Sequence, residues 1–265
     1  MTYPFSVQSD EFKGKRVLVT GGTKGIGAAM VERFRLGGAQ VATAARSAPG
    51  STNEDVLFIQ ADISTPAGVH AIAERINPDW GGLDILVSNV GGTAGTRGGD
   101  GTPTDEDWQA ILSTNLLGAV RLDRAFMPGM LSRKSGAIIH IGSIAHLLPY
   151  SNAVLAYAAA KAALRTYSKG LSKAVAPQGV RVNMISPGFI ETTGAQGLIA
   201  EISHSQKISQ DAARQGIMAM LGGIPVGRTG RPEEVAELAA FLASERGGFC
   251  NGVDYVLDGG TVPTV

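Results

Sequence analysis

The sequence has very little cysteine, few histidines and no excess of charge of either sign. Cys250 is the single cysteine among 265 residues, so no disulfide can form within the chain and a reducing compartment is expected. Lysine plus arginine and aspartate plus glutamate number 23 each, which argues against a nucleic-acid or anionic-membrane partner. Four scattered histidines and one cysteine give no metal-ligand spacing, so no metal is expected.

A long apolar run is also missing. No segment reaches membrane-spanning length, and the start, MTYPFSVQSDEFKGK, lacks the apolar core of a signal peptide. These absences favour a soluble protein of the cytoplasm. What the sequence does contain is 44% hydrophobic residues and 36 glycines without a collagen-like period, which indicates a large core and many turns.

Short apolar runs alternate with segments of helical periodicity along most of the chain. Strands are predicted at residues 16–20, 40–46, 56–62, 83–89, 136–143, 181–188 and 253–260. Helices are predicted after the first strand, at 66–76, from Thr104 to about Met127 just before Pro128, at 153–176 and at 232–244. This order predicts an α/β fold, with one domain over residues 1–265 and a doubly wound parallel sheet of about seven strands covered by helices on both faces.

Residues 189–231, called the lid segment below, do not follow this alternation. They mix glycine, serine and glutamine with scattered apolar residues, which predicts one or two short helices that cover a site. The alternative is a surface excursion that only packs its own apolar face.

Polar residues and glycines follow six of the predicted strands. Ligands of such sheets bind beyond the carboxyl ends of the strands, so these positions are expected to share one site. They are Thr20-Gly21, Arg46, Asp62, Asn89, Ser143 and Pro187-Gly188.

A glycine-rich turn, TGGTKGIG, joins the first predicted strand to the first helix. Its glycines, at positions 21, 25 and 27, allow a tight turn and let backbone N–H groups approach a pyrophosphate at the helix N-terminus. The turn alone could be structural, but its place after the first strand favours a dinucleotide. An acidic residue after the second strand would suit NAD. Arg46 stands there instead, with Lys24 in the turn, and this pair predicts NADP(H).

Tyr157 and Lys161 are four residues apart in a predicted helix, so they share one face. A cation beside a phenol favours the phenolate, which allows proton transfer near neutral pH. Spacing alone is more typical of an amphipathic helix with a snorkelling lysine. The strand-end residues around the pair make the catalytic interpretation the stronger one.

Five features in this order resemble the classical short-chain dehydrogenase/reductase family from Lys15 to Gly260. They are T-G-x3-G-x-G at residues 20–27, Asn115, Ser143, Tyr157-x3-Lys161 and Pro187-Gly188-x3-Thr192. The resemblance implies a seven-stranded extended Rossmann sheet and, commonly, a homotetramer. One departure is Ser88-Asn89-Val90-Gly91, where the family has N-N-A-G.

The resemblance also implies roles for individual residues. Tyr157 would be the general acid, Ser143 would bind the substrate carbonyl oxygen, and Lys161 would hold the nicotinamide ribose. Asn115 would hold a water that relays protons past Lys161. The implied coenzyme-binding residues are Gly21, Thr23, Lys24, Gly25, Ile26, Gly27, Arg46, Asp62, Ile63, Asn89, Gly91, Tyr157, Lys161, Pro187, Gly188, Ile190 and Thr192.

The expected function is therefore an NADPH-dependent reductase of a ketone or 3-oxoacyl substrate. Leu147, Leu148, Tyr150 and Val154 are predicted to line an apolar substrate pocket, and His146 could contact the substrate or be a plain loop histidine. Two alternatives stay open: a non-catalytic NADP-binding regulator, and an NAD-dependent alcohol or sugar dehydrogenase of the same fold. A Ser-His hydrolase is disfavoured, because Ser143 lacks the glycines of a G-x-S-x-G elbow.

Overall fold

The computed structural model describes residues 3–48, 53–93, 103–149 and 154–263, and these contain a seven-stranded sheet in which every pair is parallel. The strands are β1 Arg16–Thr20, β2 Gln40–Ala45, β3 Val56–Gln60, β4 Ile85–Ser88, β5 Gly136–Ile141, β6 Val180–Pro187 and β7 Asp254–Leu257. Their order across the sheet is β3-β2-β1-β4-β5-β6-β7. The predicted fold class is confirmed.

Helices cover both faces of this sheet. They are α1 Gly25–Leu36, α2 Pro66–Trp80, α3 Asp105–Leu112, α4 Gly118–Arg133, α5 Leu155–Val175, α6 Thr193–Gln206, α7 Gln210–Met220 and α8 Pro232–Ala243. Each strand contributes side chains to two hydrophobic cores, one on each face of the sheet, because successive side chains point to opposite faces. In β1, Val17 and Val19 pack with residues of α1 and α8, whereas Leu18 packs with residues of α2 and α4. This is why the strands are continuous apolar runs.

The helix predicted from Thr104 to about Met127 begins where expected, but the prediction of its end was wrong. Thr104 and Asp107 form a reciprocal capping box, in which each side chain accepts a hydrogen bond from the other residue's backbone N–H. The helix then widens into a π-helical turn, Ser113–Leu117, and α4 continues through Pro128 to Arg133. Proline removes one backbone hydrogen bond, but Phe126 and other α4 side chains are buried against the sheet and hold the helix together.

The lid segment, where the sequence predicts one or two short helices, contains the helices α6 and α7. A parallel bridge between Ile190 and Gly230 closes its base. Arg214 of α7 forms a two-pronged ion pair with Glu191, with both N–O distances 2.9 Å, and Thr229 donates a hydrogen bond to the same carboxylate. Among the helices of the described ranges, none is long and apolar enough to span a bilayer.

Candidate active site

A cavity of about 620 Å³ opens at the carboxyl ends of β1 to β6. Every coenzyme-binding residue predicted from the sequence lines it, as do Ser143, Tyr157 and Lys161. Several further lining residues were not predicted from the sequence, although each lies within two positions of a predicted site residue, and that proximity was the available signal. These are Ala45, Ser47, Ala61, Val90, Gly92, Thr114, Ile141, Gly142, Phe189, Thr193 and Gly194.

The glycine turn between β1 and α1 depends on backbone shapes that other residues resist. Gly21 and Gly25 have φ angles of +70° and +57°, in the left-handed region. A Cβ on Gly27 would lie 2.2 Å from the carbonyl oxygen of Gly21, so only glycine allows the turn and α1 to approach this closely. Lys24, at the N-cap position of α1, makes no side-chain cap, and the first N–H groups of the helix face the cavity edge.

The turn after β4 is fastened to the glycine turn by hydrogen bonds. The Asn89 amide side chain donates to the Thr20 carbonyl at 2.9 Å, and the Asn89 backbone N–H donates to Thr20 Oγ1 at 3.0 Å. Val90, the departure from the family's pattern, packs against the sheet core and also lines the cavity. The substitution therefore leaves the turn intact.

Two cations stand at the β1 and β2 end of the cavity. Lys24 and Arg46 are both exposed and line it, and within the described ranges neither forms an ion pair with a carboxylate. Asp62 lines the same end, and its Oδ1 accepts the backbone N–H of Ser64 at 2.9 Å. The two positive charges remain available for an anionic group.

Tyr157 and Lys161 lie on successive turns of α5, and their side chains meet at the cavity. The Lys161 Nζ atom is 5.7 Å from the Tyr157 ring centroid and donates a hydrogen bond to the Ile141 carbonyl at 2.8 Å. Lys161 is 2% exposed, and this burial lowers its pKa to about 8. Ser143 faces the pair from the end of β5, and its Oγ accepts the Ala145 N–H at 3.2 Å.

Asn115 sits in the π-helical turn, behind the cavity rather than on its surface. Its side chain donates to the carbonyls of Ile111 and Gly92 and accepts the Gly92 N–H, with all three distances 3.0 Å. A Cβ on Gly91 would lie 2.7 Å from Asn115 Oδ1 and 2.9 Å from Lys161 Nζ. Glycine at position 91 therefore keeps these two polar atoms free of a methyl group.

The three predicted substrate residues that the structure describes are not on this cavity. Leu147 is 38% exposed, Leu148 is half-buried and Val154 is buried, and none of them lines it. Tyr150 lies outside the described residues. His146 does not line the cavity either: its side chain is 2% exposed and turns towards the Ser143 carbonyl. Across the described part of the chain, no cluster of histidine, cysteine or acidic residues could hold a metal ion.

Known proteins resemble this chain over almost its whole length. The family model described as enoyl-(acyl carrier protein) reductase matches residues 21–262. The 3-oxoacyl-(acyl-carrier-protein) reductase of Salmonella typhimurium is 37% identical, over 94% of this chain and 98% of that protein. The 3beta-hydroxysteroid dehydrogenase 1 of Eggerthella lenta is 34% identical, over 95% of each chain.

The fold of this chain is also similar to that of a solved structure. L-sorbose reductase from Gluconobacter frateurii, complexed with NADPH and L-sorbose, has a TM-score of 0.87 and 33% identity, over 97% of this chain and all (100%) of that one. Its NADPH agrees with the coenzyme expected from Lys24 and Arg46. The family model, the relatives and the strand-end cavity all agree, and this chain belongs to the classical short-chain dehydrogenase/reductase family of oxidoreductases.

Proposed function

We propose that this protein is an NADP(H)-dependent oxidoreductase that interconverts a ketone and a secondary alcohol. The observation that carries the proposal is the meeting of Ser143, Tyr157 and Lys161 in the cavity that also contains the glycine turn. A phenol, a cation and a hydroxyl converge where negative charge would develop on a carbonyl oxygen. When bound, the nicotinamide ring supplies hydride for reduction and accepts it in the reverse direction.

Each of the three side chains has a distinct task. Tyr157 protonates the carbonyl oxygen, and the buried Lys161 cation stabilises the phenolate that remains. Ser143 accepts the Ala145 N–H, so its own O–H is free to donate to the substrate oxygen. The Asn115 side chain holds the backbone of Gly92 and also donates to the Ile111 carbonyl of the preceding helical turn, and we assign Asn115 to the proton path beside Lys161.

NADP(H) is the proposed coenzyme. The α1 N-terminus and its glycine turn suit a pyrophosphate, and Arg46 with Lys24 suits a 2′-phosphate because no carboxylate follows β2. Replacing Arg46 by alanine should lower kcat/KM for NADPH by about 10-fold to 100-fold, the usual loss of a charge-assisted contact. The NADH value of the same variant is the matched control and should stay within about twofold of wild type. A wild-type protein that prefers NADH would contradict the coenzyme assignment.

The proposed substrate is a 3-oxoacyl thioester or another uncharged ketone. The 37% identity to 3-oxoacyl-(acyl-carrier-protein) reductase supports it, and Phe189 and Ile190 give the cavity an apolar wall. A second candidate is a ketose, supported by the shared shape with L-sorbose reductase. Coenzyme oxidation followed by absorbance with acetoacetyl-coenzyme A, simple ketones and L-sorbose separates the two. Turnover of L-sorbose alone would replace the first candidate with the second.

Tyr157→Phe separates an enzyme from a coenzyme-binding regulator. Loss of the general acid should reduce turnover by about 100-fold or more. NADPH affinity measured by fluorescence should change only a few-fold, because the aromatic ring remains in place and only its hydroxyl is lost. Full turnover in this variant would refute the mechanism, and coenzyme binding with no turnover on any carbonyl by the wild-type protein would favour the regulator.

A homotetramer is proposed from the family resemblance. Phe241 on α8 and Val256 on the edge strand β7 are 37% and 41% exposed, and Phe249 between them is fully exposed, as apolar residues at an interface would be in a single chain. Light scattering on the purified protein should give four times the chain mass, and a monomer at micromolar concentration would contradict this assembly.

A further inference from the structure

A buried ionisable cluster that the mechanism above does not use lies directly behind Ser143. The short turn Ile144–His146 follows Ser143, and the His146 imidazole folds back so that its Nδ1 is 2.5 Å from the Ser143 carbonyl oxygen. A carbonyl can only accept a hydrogen bond, so Nδ1 carries a proton. The ring therefore clamps the peptide group of the residue that is proposed to bind substrate.

The other side of the ring faces Asp254, the first residue of β7. His146 Nε2 is 3.1 Å from Asp254 Oδ2, while Asp254 Oδ1 accepts a hydrogen bond of 2.6 Å from Ser186 on β6. The two side chains are 2% and 10% exposed. Burial would raise the pKa of the Asp254 carboxyl, but its contacts with His146, Ser186 and Arg165 outweigh burial and hold the pKa below its usual range. Asp254 is therefore a charged anchor at neutral pH.

The same carboxylate also reaches the helix that carries Tyr157. Arg165 Nε lies 3.1 Å from Asp254 Oδ2, and Arg165 follows Tyr157 and Lys161 on α5 at steps of four residues. Asp254 thus contacts both the Ser143 turn, through His146, and the Tyr157 helix, through Arg165. These two charge contacts connect the Ser143 turn to the Tyr157 helix, beside the direct hydrogen bond from Lys161 to the Ile141 carbonyl.

We propose that Asp254 and His146 are positioning residues that set the Ser143 hydroxyl against the Tyr157 phenol, an inference that rests on the proposed function. Within the described residues of the turn, the remaining hydrogen bonds are local ones, such as Ala145 N–H to Ser143 Oγ and Leu147 N–H to the Ile144 carbonyl. These bonds do not reach another element, so beyond the burial of Ile144 and Ala145 the His146 ring supplies the polar contact that joins the turn to β7. A displacement of about 1 Å at a reacting group can cost on the order of 100-fold in rate.

The chain offers a matched control for a buried histidine–aspartate pair. His140 of β5 and Asp123 of α4 are also 3.1 Å apart, and both are fully buried. Among the described contacts, that pair interacts with Tyr167 in the second half of α5 and not with the Ser143 turn. Breaking it should affect stability without affecting catalysis.

The kinetic test uses Asp254→Asn, which keeps the shape of the side chain and loses its charge. We expect kcat to fall by about 10-fold or more, with KM for NADPH within about twofold of wild type, because the coenzyme cavity is untouched. In a Ser143→Ala background the same change should cost less than about twofold, since there is no hydroxyl left to position. Asp123→Asn should lower the melting temperature and leave kcat unchanged.

A second readout does not depend on turnover. Amide hydrogen exchange at Ala145 and Leu147 should speed up by about 10-fold in Asp254→Asn and stay unchanged in Asp123→Asn. His146→Gln should repeat both effects, and it replaces Asp254→Asn if that variant does not fold. Two results would overturn the positioning role. One is amide exchange at the turn that does not change in Asp254→Asn. The other is a fall in kcat on adding Asp254→Asn to Ser143→Ala that is as large as the fall in the wild-type background. A wild-type protein that reduces no carbonyl would instead refute the proposed function, and the exchange data would still decide whether Asp254 holds the turn.

Discussion

Replacing Lys161 by methionine should make the coenzyme-free protein more stable while it destroys activity. The Lys161 side chain is buried, and burial lowers its pKa from 10.5 to about 8. A tenfold change in proton affinity corresponds to about 1.4 kcal/mol, so the folded state pays roughly 3 kcal/mol to keep this amine protonated. Methionine has a similar volume and removes that cost.

The gain is offset by the loss of one hydrogen bond. Without the amine, the Ile141 carbonyl loses its 2.8 Å donor, at a cost of about 1–2 kcal/mol. The net stabilisation is therefore about 1–2 kcal/mol, which corresponds to a rise in melting temperature of roughly 3–6 °C for a chain of this size. Calorimetry at pH 7 without coenzyme measures it, and turnover in the same variant should fall by about 100-fold or more.

The difference in stability between Lys161→Met and the wild-type protein should shrink as the pH rises. Below pH 8 both the folded and the unfolded chain hold the Lys161 proton, so the folded state carries the full cost. Between about pH 8 and 10.5 the folded chain releases the proton while the unfolded chain keeps it, so wild-type stability rises towards that of the variant.

Lys169→Met is the matched control for this experiment. Lys169 lies on the same helix and also donates to a backbone carbonyl, that of Gly252 at 2.9 Å, but it is exposed. The melting temperature of this variant should differ from that of the wild-type protein by less than about 2 °C. A Lys161→Met protein that melts below wild type at pH 7, or a difference that does not shrink above pH 8, would refute the reasoning.

Two further variants test the cavity wall and the lid segment. Gly91→Ala places a methyl group 2.7 Å from Asn115 Oδ1, so kcat should fall by about 10-fold or more in steady-state assays, whereas Gly92→Ala, whose methyl meets nothing within 4 Å, should lose far less. Equal losses in the two would contradict the steric argument. Glu191→Gln weakens the ion pair with Arg214, whose hydrogen bond lowers the Glu191 pKa, so NADPH KM should rise severalfold and α7 should become easier to cleave by protease. In the wild-type protein, the NADPH KM should also rise as acid protonates the Glu191 carboxylate. An NADPH KM that does not change in Glu191→Gln would show that the lid segment does not contribute to coenzyme binding.

The residues that sequence reasoning placed correctly are those whose location follows from strand direction. Parallel strands end at one edge, so Gly21, Arg46, Asn89, Ser143 and Pro187 had to meet once the alternation was recognised, and all five line the cavity. No side-chain contact needs to be known for this inference. The strand positions and the strand-end coincidence were enough.

The failures concern positions where packing overrides a local rule. Pro128 predicts a helix end, but apolar residues on both sides of it are buried against the sheet and α4 continues. The π-helical turn around Asn115 has no local signal, and the Asn115 side chain bonds the backbone of Gly92, which lies in a separate loop. The sequence left His146 open as a substrate contact or a plain loop histidine, and its buried ring faces Asp254, which lies more than 100 residues further along the chain. Long-range partners of this kind cannot be seen in local periodicity.

The cavity wall is assembled from chain segments that are far apart, and this links coenzyme binding to completion of the fold. Gly21 follows the first strand and Thr192 follows the sixth, yet both line the same cavity. A chain that has not yet added β6 lacks Pro187, Gly188 and the wall residues that follow them, so its coenzyme site is incomplete. Coenzyme at 100 times its dissociation constant should stabilise the finished protein by about 3 kcal/mol and leave earlier folding species unaffected. Retention on an immobilised nucleotide column would therefore select fully folded molecules from a mixed preparation.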